Sequence, residues 1–443
     1  MTTTGEKQGR SGAAALLLSR RFGPLFATQF LSAFNDNALK NALVLMLAYR
    51  TDLVSGAASA MLIPLAGGLF ILPFFLCSAT AGELADAFDK ALLIRFIKAT
   101  EIVVMTAAAG AIMLGSVWML LAVLFVMGIE AAFFGPLKYA ILPDLLSRDE
   151  LLLGNALVEA GTFLAILIGT VAGMLIASHH GAATVSGLIV LVAVVAWGIS
   201  HWIPPTAPAA PGARIEANFL AATGRLIADE RRETTRFRSI LGISWFWLVG
   251  ATYLSQFPIY VRAYLGCEEA VVTLLLTVFS VGVGAGSLLG SRILKGRISA
   301  RIAPWGALGI ALFSVDLWLA SPVREASDPA ALATVAVFLA APAHWRILAD
   351  LLGIAASGGV FVLPLYALLQ TAGDEHRRAR VIGANNVVNA AAMVLSALAV
   401  VALVAAGVSV PEVFLLTGVA TLGVAALFWR LRAVLVPSPA AAE

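Results

Sequence analysis

Residues 57–90 read AASAMLIPLAGGLFILPFFLCSATAGELADAFDK, an apolar run followed by a short polar loop. The run covers 57–79, which is long enough to cross a bilayer core of about 30 Å, because an α-helix needs about 20 residues for that distance. A second apolar run begins directly after the loop, at 91–114. The two runs therefore predict a pair of antiparallel helices that span a membrane.

Apolar runs of this length recur along the whole chain, of which 60% is hydrophobic and only 12% is charged. A soluble domain is about 25% charged, so this composition excludes a soluble enzyme, a nucleic-acid-binding protein and a disordered chain. We predict an all-α membrane protein with twelve transmembrane helices. Their approximate limits are 22–49, 57–79, 91–114, 117–137, 153–178, 184–202, 239–261, 270–291, 303–320, 347–369, 383–406 and 411–431.

The spans predict two six-helix bundles, 22–202 and 239–431, joined by a linker at 203–238. Most of the 29 Lys and Arg residues fall in the tails and loops that an even number of spans places on one side. Basic residues favour the cytoplasmic side, so both tails, 1–21 and 432–443, are predicted to be cytoplasmic. The linker contains apolar residues at helical spacing with charges between them, which predicts a helix on the inner membrane face.

The polar loop at 82–90 has a glycine, an aspartate four residues later and then a lysine. This pattern resembles the signature loop of the major facilitator superfamily. Glycine permits close helix packing at Gly82, and the Asp86 carboxylate can sit against a helix N-terminus or an arginine. We therefore predict a gate formed by Gly82, Asp86, Asp89, Lys90 and the nearby Lys138. An ordinary polar turn is the alternative.

Longer segments resemble the bacterial lysophospholipid transporter (LplT) family. They are Gln29–Leu39, Gly135–Pro143, Asn155–Ala160, Ala165–Gly173 and Phe361–Gln370. They are closer still to the transporter domain fused, in some bacteria, to a lysophospholipid acyltransferase and an acyl-carrier-protein synthetase. The resemblance implies a major facilitator fold in the inner membrane without enzymatic activity. It also implies inward movement of lysophospholipids, chiefly lysophosphatidylethanolamine, by alternating access, and a cytoplasmic acyltransferase as a possible partner.

The predicted helix 7 departs from the pattern of the stand-alone transporters, in which an arginine is expected within this helix. Here the region reads Tyr253-Leu-Ser-Gln256, and Arg262 lies at the outer end of the helix. A headgroup role for a helix 7 arginine therefore does not carry over. Gln256 is the polar candidate for substrate binding that remains there.

Predicted helix 1 carries the largest set of polar groups, and ionisable groups inside a span are costly unless they are paired or functional. Asp36 and Lys40 lie one helical turn apart, with Asn37 and Asn41 on an adjacent stripe. An acid and a base at this spacing can receive the ammonium and phosphate of a zwitterionic headgroup, with the amides hydrogen-bonding the phosphate. A self-neutralised pair that only fixes helix packing is the alternative.

Acidic and amide groups in other predicted helices are further candidates. Glu159 either faces the substrate cavity, with Asn155 one turn away, or pairs with Lys138 or Arg148 in the gate. Glu130 is expected to lie deep in the membrane, as a substrate ligand or as a proton site. Asn385 opens helix 11 and either caps the helix or contacts substrate.

Two more acidic residues complete the set of charges inside the predicted spans. Glu101 lies one turn from Lys98, which predicts a structural ion pair, and Asp316 is expected to lie deep. The deep charges are mostly acidic, which favours a substrate with a cationic end such as ethanolamine.

Two other functions remain open: a proton-coupled exporter of cationic drugs or metabolites, and a non-transporting membrane partner of an acyltransferase. Neither a cofactor nor a metal site is predicted, because Cys77 and Cys267 lie within or at the edge of apolar runs.

Overall fold

A computed structural model describes residues 12–49, 56–179, 181–213, 215–216, 218–322, 332–372 and 375–431. Within these residues the chain is helical, apart from connecting segments and one isolated bridge between Cys267 and Ala333. The predicted tail segments at 1–11 and 432–443 lie outside the described residues.

Twelve helices of at least 18 residues run through the described part of the chain, as the sequence predicts. They are α1 Gly23–Tyr49, α2 Gly56–Ala87, α3 Lys90–Leu114, α4 Val117–Ala140, α5 Leu151–His179, α6 Gly181–Ser200, α7 Thr234–Ile259, α8 Glu269–Leu294, α9 Ala303–Ala320, α10 Pro342–Thr371, α11 Arg378–Ala405 and α12 Val410–Leu431.

Eleven of these helices are both long and apolar enough to span a membrane. The twelfth is α1, which has 27 residues and carries Gln29, Ser32, Asn35 and Asp36 among its apolar side chains. Helix α1 packs along α5 and α6, so neighbouring helices rather than lipid cover much of its polar surface.

The helices form two halves, α1–α6 and α7–α12. In the first half α1 packs on α5, α2 on α4 and α3 on α6, and the same pairs recur in the second half as α7 on α11, α8 on α10 and α9 on α12. The halves meet mainly through two helix pairs, α5 with α8 and α2 with α11. Helices α2 and α5 of the first half correspond to α8 and α11 of the second half. The two pairs are therefore equivalent, as expected for a duplicated bundle.

One end of the molecule, here called the basic end, is where α1, α3, α5, α7, α9 and α11 begin. The linker between the halves lies there and contains a helix, Phe219–Arg232. The linker helix buries Ala222 and Leu226, and Thr223 Oγ1 donates a hydrogen bond to the Phe75 carbonyl of α2 at 3.3 Å. The linker is therefore anchored to the first half.

Candidate functional site

A group of buried charges joins α3 to α4. The Lys98 Nζ atom lies 2.6 Å from Glu101 Oε2 and 2.6 Å from Glu130 Oε1, and all three side chains are buried. We call Lys98, Glu101 and Glu130 the lysine triad. The predicted ion pair of Lys98 with Glu101 is confirmed, whereas its partner on α4 was not predicted.

Polar groups from two further helices complete the lysine triad. Lys98 Nζ donates a hydrogen bond to Ser32 Oγ at 2.7 Å, and it lies 4.0 Å from the centroid of the Phe134 ring. Asn35 Nδ2 donates to Glu101 Oε1 at 3.3 Å and to the Ile189 carbonyl of α6 at 3.0 Å. A buried charge needs such partners, so we assign the triad to helix packing. Glu130 is therefore not retained as a substrate ligand.

The predicted pair on α1 has a different arrangement. Within the described residues no direct ion pair joins Asp36 to Lys40. Lys40 Nζ instead lies 4.2 Å from the centroid of the Phe70 ring of α2. Asp36 is half-buried, and its Oδ1 atom is buried without a hydrogen-bond partner. Lys40 and Asp36 still interact electrostatically, so a packing role for this pair stays a prediction beside the headgroup role.

A lysine from α4 brings the α1 charges together with a carboxylate from α5. Lys138 Nζ lies 5.0 Å from the centroid of the Tyr139 ring. It is near enough to Glu159 and Asp36 for their charges to interact, although among the described residues no direct ion pair joins it to either carboxylate. Glu159 is 3% exposed, and its Oε1 atom has no hydrogen-bond partner. We call Asp36, Lys40, Lys138 and Glu159 the central cluster. It holds two cations and two anions with unused hydrogen-bonding capacity, an arrangement that can receive a ligand carrying both charges.

The two amides on the adjacent stripe of α1 use their donors inside the protein. Asn37 Nδ2 donates to the Ala33 carbonyl at 2.7 Å. Asn41 Nδ2 donates to the Asn37 carbonyl at 2.8 Å and to Thr170 Oγ1 of α5 at 3.1 Å. Both N–H groups of Asn41 are thus committed to the helices, whereas Asn37 keeps one N–H group, so its role on a substrate phosphate stays a prediction.

Aromatic side chains cross between the halves next to the central cluster. Tyr139 stacks on Tyr366 of α10, with ring centroids 4.5 Å apart, and Phe163 of α5 stacks on Trp247 of α7 at 6.2 Å. Trp247 Nε1 donates a hydrogen bond to the Tyr366 hydroxyl at 3.0 Å. Asn385 is buried near that hydroxyl, seven residues after the start of α11, so it does not cap the helix. Both polar atoms of its side chain lack a hydrogen-bond partner, and its contact with substrate stays a prediction.

An amide pair joins the halves closer to the basic end. Asn155 Nδ2 donates to Gln370 Oε1 at 2.6 Å, and Gln370 Nε2 returns a bond to Asn155 Oδ1 at 3.0 Å. Gln370 Nε2 also donates to the Tyr139 carbonyl at 3.0 Å. Asn155, predicted as a substrate ligand, is thus part of the contact that closes the basic end.

The Asp86 carboxylate lies at the N-terminus of α11. It is fully buried and accepts hydrogen bonds from the backbone N–H of Ala379 at 2.9 Å and of Arg380 at 3.3 Å. Arg380 Nε lies 3.5 Å from Asp86 Oδ2. At Gly82 a Cβ atom would lie 2.8 Å from the Ala379 carbonyl oxygen, so only glycine fits this approach. The predicted contact with a helix N-terminus and an arginine is confirmed.

A second ionic contact extends this closure. Asp144, which follows α4, lies 2.9 Å from Lys90 Nζ and 3.0 Å from Arg378 Nη1 of the other half. Asp89 does not take part. It caps α3 by accepting from Ala91 N–H at 2.8 Å, and it accepts from Thr206 Oγ1 of the linker at 3.0 Å. The predicted gating role of Asp89 is therefore replaced by a structural one.

Two further predicted groups, Asp316 and Gln256, belong to the second half. Asp316 is 41% exposed and pairs with Arg346, because it lies only four residues before the end of α9; the expectation of a deep position is wrong. Gln256 is buried on α7, where its Nε2 atom donates to Ser255 Oγ at 3.2 Å. Its Oε1 atom has no hydrogen-bond partner, so its role in substrate binding stays a prediction. Among the described residues, no group of three or more His, Cys, Asp or Glu residues is arranged to hold a metal ion.

Comparisons with solved structures show the fold. FucP, a major facilitator transporter in the outward conformation, gives a TM-score of 0.69 at 14% identity, covering 93% of this chain and 98% of that chain. A bacterial homologue of the iron transporter ferroportin in an outward-facing state gives 0.65 at 13% identity, covering 94% and 100%.

Sequence comparisons identify the family. Residues 25–397 match the model of the Major Facilitator Superfamily. The chain is 31% identical over 379 residues to the Lysophospholipid transporter LplT of Serratia proteamaculans, and 30% identical over 388 residues to that of Cronobacter sakazakii. Each match covers 84% of this chain and 84% of the relative. The chain belongs to the major facilitator superfamily of secondary transporters and, within it, to the lysophospholipid transporter (LplT) family.

Proposed function

We propose that this protein transports lysophospholipids across the bacterial inner membrane, from the outer to the inner leaflet, by alternating access. Its relatives carry the name of lysophospholipid transporters. The observation that carries the proposal is the central cluster, in which a buried oxygen of Asp36 and one of Glu159 lack hydrogen-bond partners. Such groups are costly in a membrane interior unless a ligand satisfies them.

The central cluster matches a zwitterionic headgroup. The ammonium of an ethanolamine headgroup would donate to Asp36 and Glu159, and its phosphate would accept from Lys138 and Lys40. Each charge-assisted hydrogen bond contributes about 1.5–3 kcal/mol. Lysophosphatidylethanolamine is therefore the preferred substrate, because it supplies both charges on one headgroup.

The closed basic end indicates the state at which the proposed transport cycle begins. Basic residues favour the cytoplasmic side, so the basic end faces the cytoplasm. Its closure by Asp86, Asp144 and Gln370 corresponds to a state in which the central cluster is reached from the opposite side. Rocking of the two halves would then open the basic end and release the lysophospholipid into the inner leaflet.

The proposal is tested by uptake of labelled lysophospholipids into proteoliposomes. We expect uptake of lysophosphatidylethanolamine above that of protein-free liposomes, and a loss of at least about tenfold in Asp36→Asn, since one charge-assisted contact is worth that much. Asp316→Asn removes an equally charged but exposed carboxylate outside the central cluster, so it serves as the matched control and should retain uptake. Equal uptake with and without protein would refute the function.

A cytoplasmic lysophospholipid acyltransferase is the partner that we propose, because a lysophospholipid delivered to the inner leaflet gains its second acyl chain by reacylation. Crosslinking of the transporter in its native membrane, followed by an assay of the captured material for acyl transfer to lysophosphatidylethanolamine, tests this partner. Absence of that activity from the crosslinked material would contradict it.

A further inference from the structure

A groove of about 470 Å³ opens on the surface of the first half, at the basic end. It lies where the chain enters α1, where α3 begins and where α6 ends, so it is separate from the contact between the halves. Its lining residues are Arg20, Arg21, Arg95, His201, Trp202, Ile203, Pro204 and Pro205.

The groove is strongly basic. Arg20 and Arg21 are exposed, and Arg95 is half-buried, so three guanidinium groups converge on one site. The acidic group that we find in contact with them is Glu150, which forms an ion pair with Arg21. The groove therefore keeps a net positive charge and attracts an anion.

Arg95 is fixed in place with a donor left over. Its Nη2 atom donates to the Ile203 carbonyl at 2.9 Å, which orients the guanidinium toward the end of α6. Its Nε atom is buried and has no hydrogen-bond partner among the described residues. Buried donors without acceptors are rare in native proteins, so this N–H group points to an acceptor supplied by a ligand.

The surroundings of the groove are those of a lipid site. Trp202 is 66% exposed at the rim of the groove. Tryptophan is enriched at the headgroup level of bilayers. Leu92 and Phe96, one turn apart on α3, are 57% and 68% exposed and flank Arg95. An anion held by Arg95 would therefore lie beside an apolar helix face that can accommodate acyl chains.

We propose that this groove binds the phosphate of an anionic phospholipid of the inner leaflet, such as phosphatidylglycerol or cardiolipin. The planar guanidinium groups match the oxygens of a phosphodiester, and basic pockets at the cytoplasmic ends of transmembrane helices bind such lipids. The bound lipid is a resident of the first half and not the transported substrate. This inference does not depend on the substrate proposed above.

The test is native mass spectrometry of the purified full chain, titrated with phosphatidylglycerol, cardiolipin and phosphatidylethanolamine. We expect the anionic lipids to bind at least about tenfold more tightly than phosphatidylethanolamine. The double variant Arg20→Gln/Arg21→Gln should weaken anionic lipid binding on the order of 20-fold, since each basic residue near a membrane surface contributes about fivefold. It leaves Arg95 and its contact with Ile203 intact.

The matched control is Arg292→Gln/Arg297→Gln, which removes two exposed arginines from the basic end of the second half. This variant should bind the anionic lipids as the wild type does, and the thermal unfolding of both variants should match the wild type. Equal binding of anionic and zwitterionic lipids, or an equal loss in both double variants, would overturn the proposal. Displacement of the lipid by an equal concentration of inorganic phosphate would overturn it as well, because the site would then be a phosphate site.

Discussion

The lysine triad and the central cluster are both built from carboxylates and lysines on neighbouring helices of the first half. In the lysine triad, Lys98 contacts two carboxylates at 2.6 Å and a serine hydroxyl at 2.7 Å. In the central cluster, Asp36 and Glu159 each keep a buried oxygen without a partner. The protein alone therefore supplies ionic and hydrogen-bond partners for the charges of the lysine triad, whereas it leaves part of the central cluster without partners.

This difference separates structural charges from functional ones. A buried charge costs several kcal/mol in a membrane interior, and in the triad contacts among three helices, α1, α3 and α4, offset that cost. In the central cluster part of this desolvation free energy is not offset by the protein, and a bound ligand would offset it. We therefore expect changes in the triad to lower stability, and changes in the central cluster to alter transport.

The largest effect is expected for Lys98→Met. This change leaves Glu101 and Glu130 buried without their shared cation, and removal of one partner of a buried ion pair typically costs about 3–5 kcal/mol. We expect a marked fall in the thermal unfolding temperature of the protein in detergent. Adding Glu101→Gln and Glu130→Gln removes the uncompensated charges and should recover most of that loss. An unchanged unfolding temperature for Lys98→Met would contradict the structural role.

A large effect on transport is expected for Lys138→Met. The change removes a cation proposed to bind the phosphate that all lysophospholipids share, so uptake should fall about 10- to 100-fold for each headgroup in proteoliposomes. Lys138→Arg keeps the positive charge and should retain much of the uptake. If the methionine variant transported normally, the phosphate would have to bind elsewhere.

A moderate effect is expected for Asp86→Asn, which keeps the shape of the side chain but removes its charge from the N-terminus of α11. The closed basic end should lose about 1–2 kcal/mol, shifting the population toward the open state by roughly 5- to 30-fold. Double electron–electron resonance measures this shift as a change in the distance distribution between two spin labels. The labels are attached to Asp149→Cys and Arg301→Cys, with both native cysteines replaced. An unchanged distance distribution would rule out Asp86 as part of the closure.

The smallest effect is expected for Asn41→Ala. The substitution removes the hydrogen bond between Asn41 and Thr170, and such a bond between membrane helices is worth about 0.6 kcal/mol on average. The unfolding temperature should change slightly, and uptake of lysophosphatidylethanolamine should stay at the wild-type level. A strong loss of uptake would instead support the role in substrate binding that the sequence predicts for this amide.

The twelve helices follow from the sequence because length and hydropathy are local properties of each run. The Lys98–Glu101 pair is also visible, because both residues lie on one helix at a fixed spacing. The third member, Glu130, could not be predicted, because the pattern within one helix does not indicate which faces of α3 and α4 pack together. The amide pair of Asn155 and Gln370 was missed for the same reason, since 215 residues separate the partners.

The contacts of α1 could not be predicted for a different physical reason. Helical spacing places Asp36 and Lys40 near each other, but it does not exclude the competing aromatic ring of Phe70 on α2, which Lys40 contacts. The side-chain amides of Asn37 and Asn41 donate hydrogen bonds to backbone carbonyls four residues earlier. Any asparagine within a helix can form such a bond. A polar stripe therefore identifies the helix that carries the candidate site. It does not identify which side chains on that helix remain free to bind a ligand.

The central claim is that the carboxylates of the central cluster bind the ammonium of the headgroup. The most direct measurement is the dissociation constant of lysophosphatidylethanolamine and of lysophosphatidic acid, which lacks the amine, for wild type and for Asp36→Asn/Glu159→Gln. We predict that the wild type prefers lysophosphatidylethanolamine and that the double variant loses this preference while remaining folded. A preference that survives in the double variant would contradict the claim.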